Sequence, residues 1–103
     1  MAFGFPAYHT ERCSVSTATA DLRKAVRETL FALSWSVREE TYERIVGSTS
    51  INIRSWGEKV FIQFLPDNSI SVTSKSALPT TCFDWGKNKD NVVKFMAEFS
   101  KHI

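Results

Sequence analysis

The side chains best suited to nucleophilic or metal chemistry in this sequence are two thiols and two imidazoles. They belong to Cys13, Cys82, His9 and His102. Metal binding or Cys–His catalysis requires such groups to lie within a few ångström of one another. The sequence contains no C-x-x-C pair and no spacing that would bring the four together. We therefore predict no catalytic residue, no metal site and no cofactor, and we interpret the cysteines as small buried hydrophobic residues.

A lysine-bearing segment ahead of a second predicted helix, residues 84–89, is the first candidate for ligand binding. Backbone N–H groups are free at a helix N-terminus, and with nearby lysine charge they can hold a phosphate or a carboxylate. The alternative is structural: a tryptophan closes the edge of the core, an aspartate bonds loop amides and an asparagine caps the helix. The structural alternative is favoured, because phosphate-binding loops usually contain more glycine. The residues concerned are Asp84, Trp85, Lys87, Asn88 and Lys89.

A tight corner at residues 55–58, with the sequence Ser-Trp-Gly-Glu, is the second candidate. Trp56 could contact a ligand or anchor an interface, because tryptophan is enriched at binding hot spots. A β-hairpin turn with Trp56 folded over the end of the sheet explains the same residues and is favoured.

Four glutamates could in principle supply the paired carboxylates of acid–base catalysis, which requires one of the pair to be buried. They are Glu39, Glu40, Glu43 and Glu58. Because they lie in predicted turns or at strand ends beside Arg38, Arg44 and Lys59, we interpret them as part of a salt-bridged surface.

Polar residues on the predicted strands form the last candidate surface. One alternate set of them should line the sheet face that points away from the helices. Single-strand binders need stacked aromatic residues and a basic groove, which this set lacks, so nucleic acid is an unlikely partner. The residues are Ser48, Ser50, Asn52, Arg54, Gln63, Ser69, Ser71, Thr73 and Lys75.

Hydrophobic periodicity predicts the elements that position these side chains, in the order β-α-β-β-β-β-α. The predicted strands cover residues 8–15, 34–38, 44–53, 59–65 and 69–73, and the first helix covers 18–33. Residues 39–41 are predicted as a turn and Gly47 as the site of a bulge. The second helix is expected to begin at a cap formed by Asn88 or Asp90. The stripes predicted to face the sheet are Leu22, Ala25, Val26, Thr29, Leu30 and Leu33, and Val92, Phe95 or Met96, Phe99 and Ile103.

This order predicts a two-layer α+β fold. Sequential strands joined by short turns should form an antiparallel meander, with the first strand added at an edge beside the last. Both helices should cover one sheet face, because only one face of each strand is apolar.

Size and composition agree with a single α+β domain spanning residues 1–103, with an N-terminal arm at residues 1–7. The chain has 103 residues, 43% of them hydrophobic and 13% aromatic, and its net charge is only +2. These values are typical of a globular domain and not of a disordered chain or a strong nucleic-acid binder. Because no stretch predicts a membrane span or a signal peptide, we expect a cytoplasmic protein with reduced thiols.

Three segments resemble those of small bacterial proteins to which no activity is assigned. The segments are a Phe-Gly-Phe-Pro arm at residues 3–6, the Ser-Trp-Gly-Glu corner at 55–58 and Asp-Trp-Gly-Lys-Asn at 84–88. The predicted topology also resembles the TATA-binding-protein-like, helix-grip folds. The resemblance implies the fold but carries no base-contacting or ligand-binding residue to this chain.

We consequently predict a non-enzymatic binding or interaction domain, and one form of it is a homo-oligomer that pairs sheet edges or covers the polar sheet face. The first strand and the aromatic arm at residues 3–5 motivate this prediction. The alternative is a small-ligand or anion binder, with its site in the loop before the C-terminal helix or between the helices and the sheet.

Overall fold

The predicted α+β class and element order are confirmed by the structure, a computed structural model that describes residues 8–14, 19–49, 58–76 and 87–103. These ranges hold five strands and two helices. They are β1 (Tyr8–Ser14), α1 (Thr19–Ala32), β2 (Ser36–Glu40), β3 (Arg44–Ser48), β4 (Glu58–Phe64), β5 (Ser69–Ser76) and α2 (Lys87–Phe99).

The strands form one antiparallel sheet in the order β1-β5-β4-β3-β2. The meander from β2 to β5 and the position of β1 beside β5 are therefore as predicted. All seven residues of β1 pair with β5, from Tyr8 opposite Lys75 to Ser14 opposite Ser69. This order leaves β1 and β2 at the two edges of the described sheet.

Both helices pack on one face of the sheet and enclose the core between the two layers. The residues that fill this layer are almost completely buried, as the two predicted stripes require. They are Leu22, Ala25, Val26 and Leu30 of α1, Val92, Phe95 and Phe99 of α2, and Ile45, Val60, Ile62, Ile70 and Val72 of the strands. The inclusion of Ile103 in the second stripe was wrong, because this residue follows the helix and is half exposed. No helix in the described ranges is both long enough and apolar enough to cross a membrane.

Helix α1 ends in a pair of backbone hydrogen bonds that turn the chain into β2. Trp35 N donates to Leu30 O at 2.9 Å, and Ser34 N donates to Phe31 O at 3.0 Å. This is the Schellman arrangement, in which the residue after the helix adopts a left-handed conformation. Ser34 occupies that position with φ of 60°. The bonds satisfy two carbonyl groups at the helix end and bring Trp35 against the core.

The prediction of a turn at residues 39–41 was wrong for Glu39 and Glu40, which form the end of β2. An edge strand can carry charged side chains because one of its sides faces solvent. A bulge also falls on β2, between Val37 and Glu39, and not at Gly47. Gly47 instead allows α1 to approach the sheet, since a Cβ there would lie 3.1 Å from Leu30 Cδ2.

The predicted turn between β4 and β5 is confirmed at residues 66–68. Asn68 has φ of 58°, a left-handed conformation that asparagine tolerates better than most residues. The turn joins two strands that pair from Glu58 opposite Ser76 to Phe64 opposite Ile70.

Candidate functional site

The sequence-predicted ligand residues are only partly within the described ranges. Trp56, Asp84 and Trp85 lie outside them. Lys87 is the first residue of α2, and Lys89, two residues later, is exposed. Whether these residues bind an anion stays a prediction.

The expectation that Asn88 or Asp90 caps α2 was wrong, because the helix begins before both. Asn88 is fully buried, and its Oδ1 accepts a hydrogen bond from Ser74 Oγ on β5 at 2.7 Å. The side chain therefore faces the sheet at the start of the helix.

A buried polar network continues from Asn88 towards β4. Asn91 Nδ2 donates to Ser74 Oγ at 3.2 Å and to Glu58 Oε1 at 2.8 Å. Thr49 Oγ1 lies 3.3 Å from the same carboxylate oxygen and accepts from Glu58 N at 2.9 Å. The network joins the first turns of α2 to the sheet, and its members satisfy one another as buried polar groups must.

Sequence reasoning missed this network, although one signal could have revealed it. The apolar stripe of α2 runs through Val92, Phe95 and Phe99. Continued towards the N-terminus at steps of three and four, it reaches Asn91 and Asn88, which must then face the core.

The described thiol and imidazole side chains, those of Cys13, His9 and His102, do not come together, and Cys82 lies outside the described residues. His9 and Cys13 occupy the same strand four residues apart, which corresponds to about 13 Å. Cys13 is a half-buried free thiol packed against the core, and His9 Nε2 lies 3.1 Å from Glu11 Oε2. Among the described residues, no group of three or more His, Cys, Asp or Glu side chains could hold a metal ion.

His102, which follows α2, lies between carboxylates of the two helices. Its Nε2 is 3.0 Å from Glu98 Oε2 on α2, and its Nδ1 is 3.4 Å from Glu28 Oε2 on α1. The hydrogen bond from His102 lowers the pKa of Glu98 below its ordinary value, and the charge of Lys101 adds to the effect. The arrangement links the ends of α1 and α2.

Two of the four candidate carboxylates, Glu39 and Glu40, are engaged with arginines, as the surface interpretation predicted. Arg44 Nε donates to Glu39 Oε2 at 2.8 Å, and Arg27 Nε donates to Glu40 Oε1 at 3.0 Å. The hydrogen bond from Arg27 lowers the pKa of Glu40 below its ordinary value. Glu58 differs, since it belongs to the network around Asn91.

The outer sheet face, defined here as the face opposite the helices, carries an open groove of about 270 Å³. Its lining residues alternate along the strands with the buried residues of the core, as the period of two requires. They are Arg44, Phe61, Gln63, Ser71, Thr73 and Lys75. Four of the polar residues named from the sequence, Gln63, Ser71, Thr73 and Lys75, therefore line this groove, whereas Ser50, Asn52 and Arg54 lie outside the described residues.

The cationic side chains of this face differ in whether they have ionic partners. Arg44 pairs with Glu39 and also lies over the ring of Phe61, with 5.7 Å between Cζ and the ring centroid. Arg12 pairs with Asp67 of the β4–β5 turn. By contrast, Lys59 and Lys75 face each other directly in the β4–β5 register, and neither forms an ion pair with a described residue.

The edge of β1 is the second exposed surface with a distinct geometry. Its seven residues run in unbroken register with β5, so on its other side every second residue directs its backbone N–H and C=O away from the described sheet. Thr10, at the third position, shares a hydrogen bond of 2.8 Å with Thr73 across the outer face.

No model of a known protein family matches the chain, and no curated protein matches its sequence.

Proposed function

We propose that this chain is a non-enzymatic interaction domain that associates with a second copy of itself through the edge of β1. The observation that carries the proposal is a seven-residue edge strand in continuous register that lacks a bulge. Such an edge is a template for pairing with another strand. A cytoplasmic location, where the free thiol of Cys13 stays reduced, is part of the proposal.

The other edge of the described sheet is protected by its short length and a bulge, both of which β1 lacks. Strand β2 has five residues and a bulge between Val37 and Glu39. It also carries Arg38, Glu39 and Glu40 in succession, and Glu40 is held by Arg27. Bulges, short length and charge are the devices that keep an edge from pairing. Pairing is therefore expected at β1 and not at β2.

Charge favours one of the three central registers for two antiparallel copies of β1 around a two-fold axis. An axis at Glu11 would place two carboxylates opposite each other, and an axis at Arg12 would place two guanidinium groups opposite each other. An axis at Thr10 avoids both and sets His9 of each copy opposite Glu11 of the other. The imidazole can donate a hydrogen bond to that carboxylate across the strands, whereas like charges directly opposite each other oppose pairing. The edge is thus self-complementary in this register.

Light scattering coupled to size-exclusion chromatography tests the proposal. The chain is expected to elute with twice the mass of one copy at micromolar or higher concentration. Glu11→Lys places a lysine opposite His9 and should raise the dimer dissociation constant about tenfold or more. The double variant His9→Glu, Glu11→Lys sets opposite charges across the two strands and should recover the dimer.

The matched control is Glu43→Lys, which makes the same charge change at an exposed residue beside the β2 edge. It should leave the dimer intact. A strict monomer across the concentration range would contradict the proposal, and so would equal loss of the dimer in Glu11→Lys and Glu43→Lys.

A further inference from the structure

We propose that the groove on the outer sheet face is a binding site for a small organic phosphate, with the phosphate group held between Lys59 and Lys75. This site is independent of self-association, because it uses different residues on a different surface.

The lysine pair is the first observation in favour of an anion. Lys59 and Lys75 are direct partners in the β4–β5 register, so their side chains leave the same face of the sheet from neighbouring positions. Like charges directly opposite each other destabilise a sheet. Both side chains are exposed, and no carboxylate of a described residue neutralises either one. An anion between the two ammonium groups would convert this repulsion into attraction.

The residues next to the lysines supply neutral contacts for the rest of a ligand. One step along the strands from the lysine pair, Phe61 lies opposite Thr73, and the next step places Gln63 opposite Ser71. Phe61 is half-buried and offers a flat apolar surface. The hydroxyl and amide groups of the other three can donate or accept hydrogen bonds. An anion with a flat or apolar body therefore fits better than an inorganic ion alone.

The positive charge at the groove is concentrated at its lysine end, where Lys75 lines the groove and Lys59 lies opposite Lys75. At the other end, the guanidinium of Arg44 is engaged by Glu39 and that of Arg12 by Asp67. A hydrogen bond from Ser69 lowers the pKa of Asp67, which keeps that carboxylate ionised beside Arg12. Among the described residues of β1, β3, β4 and β5, the positive charge without an ionic partner on this face is thus left at Lys59 and Lys75. This distribution of charge favours a ligand with a single anionic group that binds at the lysine end.

The size of the groove favours a small molecule over a polymer. Its volume of about 270 Å³ is at the lower limit of ligand pockets. A binder of single-stranded nucleic acid needs a continuous row of cations and several stacking rings. Among the described residues of β3, β4 and β5, Phe61 is the only aromatic side chain on the outer face.

The binding test uses the full chain and isothermal titration with adenosine monophosphate, inorganic phosphate and adenosine. Adenosine monophosphate should bind at millimolar or lower concentration, inorganic phosphate more weakly and adenosine least of all. The double variant Lys59→Gln, Lys75→Gln should weaken binding of the monophosphate about tenfold or more, because two charge-assisted contacts are lost. The control is Lys24→Gln, which removes an exposed lysine on α1, at the other face of the domain, and should change the affinity less than about twofold.

Amide chemical-shift mapping on the unaltered chain provides an independent readout that does not depend on how the variants fold. The monophosphate should shift the amides of Lys59, Phe61, Thr73 and Lys75. The absence of binding at 10 mM ligand, roughly the weakest affinity of interest, would overturn the proposal. It would also be overturned by equal affinity in the double variant, by shifts confined to the helices, or by a single-stranded oligonucleotide that binds this face more tightly than the monophosphate.

Discussion

At the scale of single residues, the polar side chain that most depends on its surroundings is Asn91. It is 3% exposed, and its one amide nitrogen serves both the carboxylate of Glu58 and the hydroxyl of Ser74. Ser74 in turn donates to Asn88, so each donor in the chain of bonds has an acceptor. The amide group of Asn91 is essential to this chain of hydrogen bonds, because a carboxylate at the same position could not donate a hydrogen bond.

Asn91→Asp should therefore destabilise the domain strongly and with a characteristic pH dependence. The change sets two carboxylates in contact, which raises the pKa of the pair in the folded state above that in the unfolded chain. The loss should be about 3 kcal/mol near pH 7 and should shrink as the pH falls and the pair takes up a proton. Urea unfolding at pH 7 and pH 4 measures both values.

The control for this prediction is Asn91→Ala, which removes the same hydrogen bonds without adding charge. Its loss of stability should be about 1–3 kcal/mol and nearly equal at the two pH values. A pH-independent loss in Asn91→Asp would show that the second carboxylate does not approach Glu58.

The same residues show where sequence reasoning works and where it stops. The apolar stripe of α2 was predictable at Val92, Phe95 and Phe99, because helical spacing places them on one face. Asn88 was assigned to a cap, because asparagine at a helix start usually has that role. Its true position depends on Ser74, which lies fourteen residues earlier on another element. Contacts of this kind follow from the packing and not from local spacing.

At the scale of elements, α1 is joined to the β2–β3 hairpin by two arginines. The guanidinium of Arg23 lies over the ring of Phe64, with 4.6 Å between Cζ and the centroid, and donates to Thr41 O at 2.8 Å. One helical turn later, Arg27 binds Glu40 on β2. These contacts fix the end of β2, which the sequence predicted as a turn. The error arose because glutamates are rare in strands, whereas here each finds a basic partner on a neighbouring element.

The pairing of Glu40 with Arg27 predicts an acid-sensitive contribution to stability. The hydrogen bond from Arg27 lowers the pKa of Glu40 from its ordinary value of 4.5. A depressed pKa in the folded state stabilises the fold above the ordinary value, and this contribution is lost as the pH falls through the lowered one. Glu40→Gln should thus reduce stability at pH 7 and reduce it less at pH 3.

Glu43→Gln is the matched control, because Glu43 is exposed and forms no ion pair with a described residue. Chemical unfolding at the two pH values should show no pH-dependent difference between this variant and the parent chain. If Glu40→Gln behaves in the same way, the ion pair does not contribute to stability in solution.

At the scale of the whole molecule, the two sheet faces differ in what covers them. The inner face is filled by side chains of α1 and α2, whereas the two proposals concern the outer face and the β1 edge. The topology was predictable because short turns make successive strands neighbours and alternation assigns one apolar face. The lysine pair was not, because it depends on the exact register of β4 and β5, which the sequence alone leaves open.

The separation of the two surfaces predicts that their effects on thermal stability are independent. His9 and Glu11 lie on the same side of β1 as Cys13, which packs against the core, whereas Lys59 and Lys75 face outwards. A ligand or a second copy that binds only the folded state raises the melting temperature. In the parent chain, the melting temperature should therefore rise with protein concentration and also with adenosine monophosphate.

The variants should separate these two effects. Glu11→Lys should weaken the dependence on protein concentration and retain the shift with adenosine monophosphate. The double variant Lys59→Gln, Lys75→Gln should keep the dependence on protein concentration and lose most of the shift with adenosine monophosphate. Without ligand it should melt at a higher temperature than the parent chain, because the like-charge pair is gone. Differential scanning calorimetry at two protein concentrations, with and without the monophosphate, measures all four combinations. If either variant abolished both shifts, the two surfaces would be coupled, and the proposal of independent sites would be wrong.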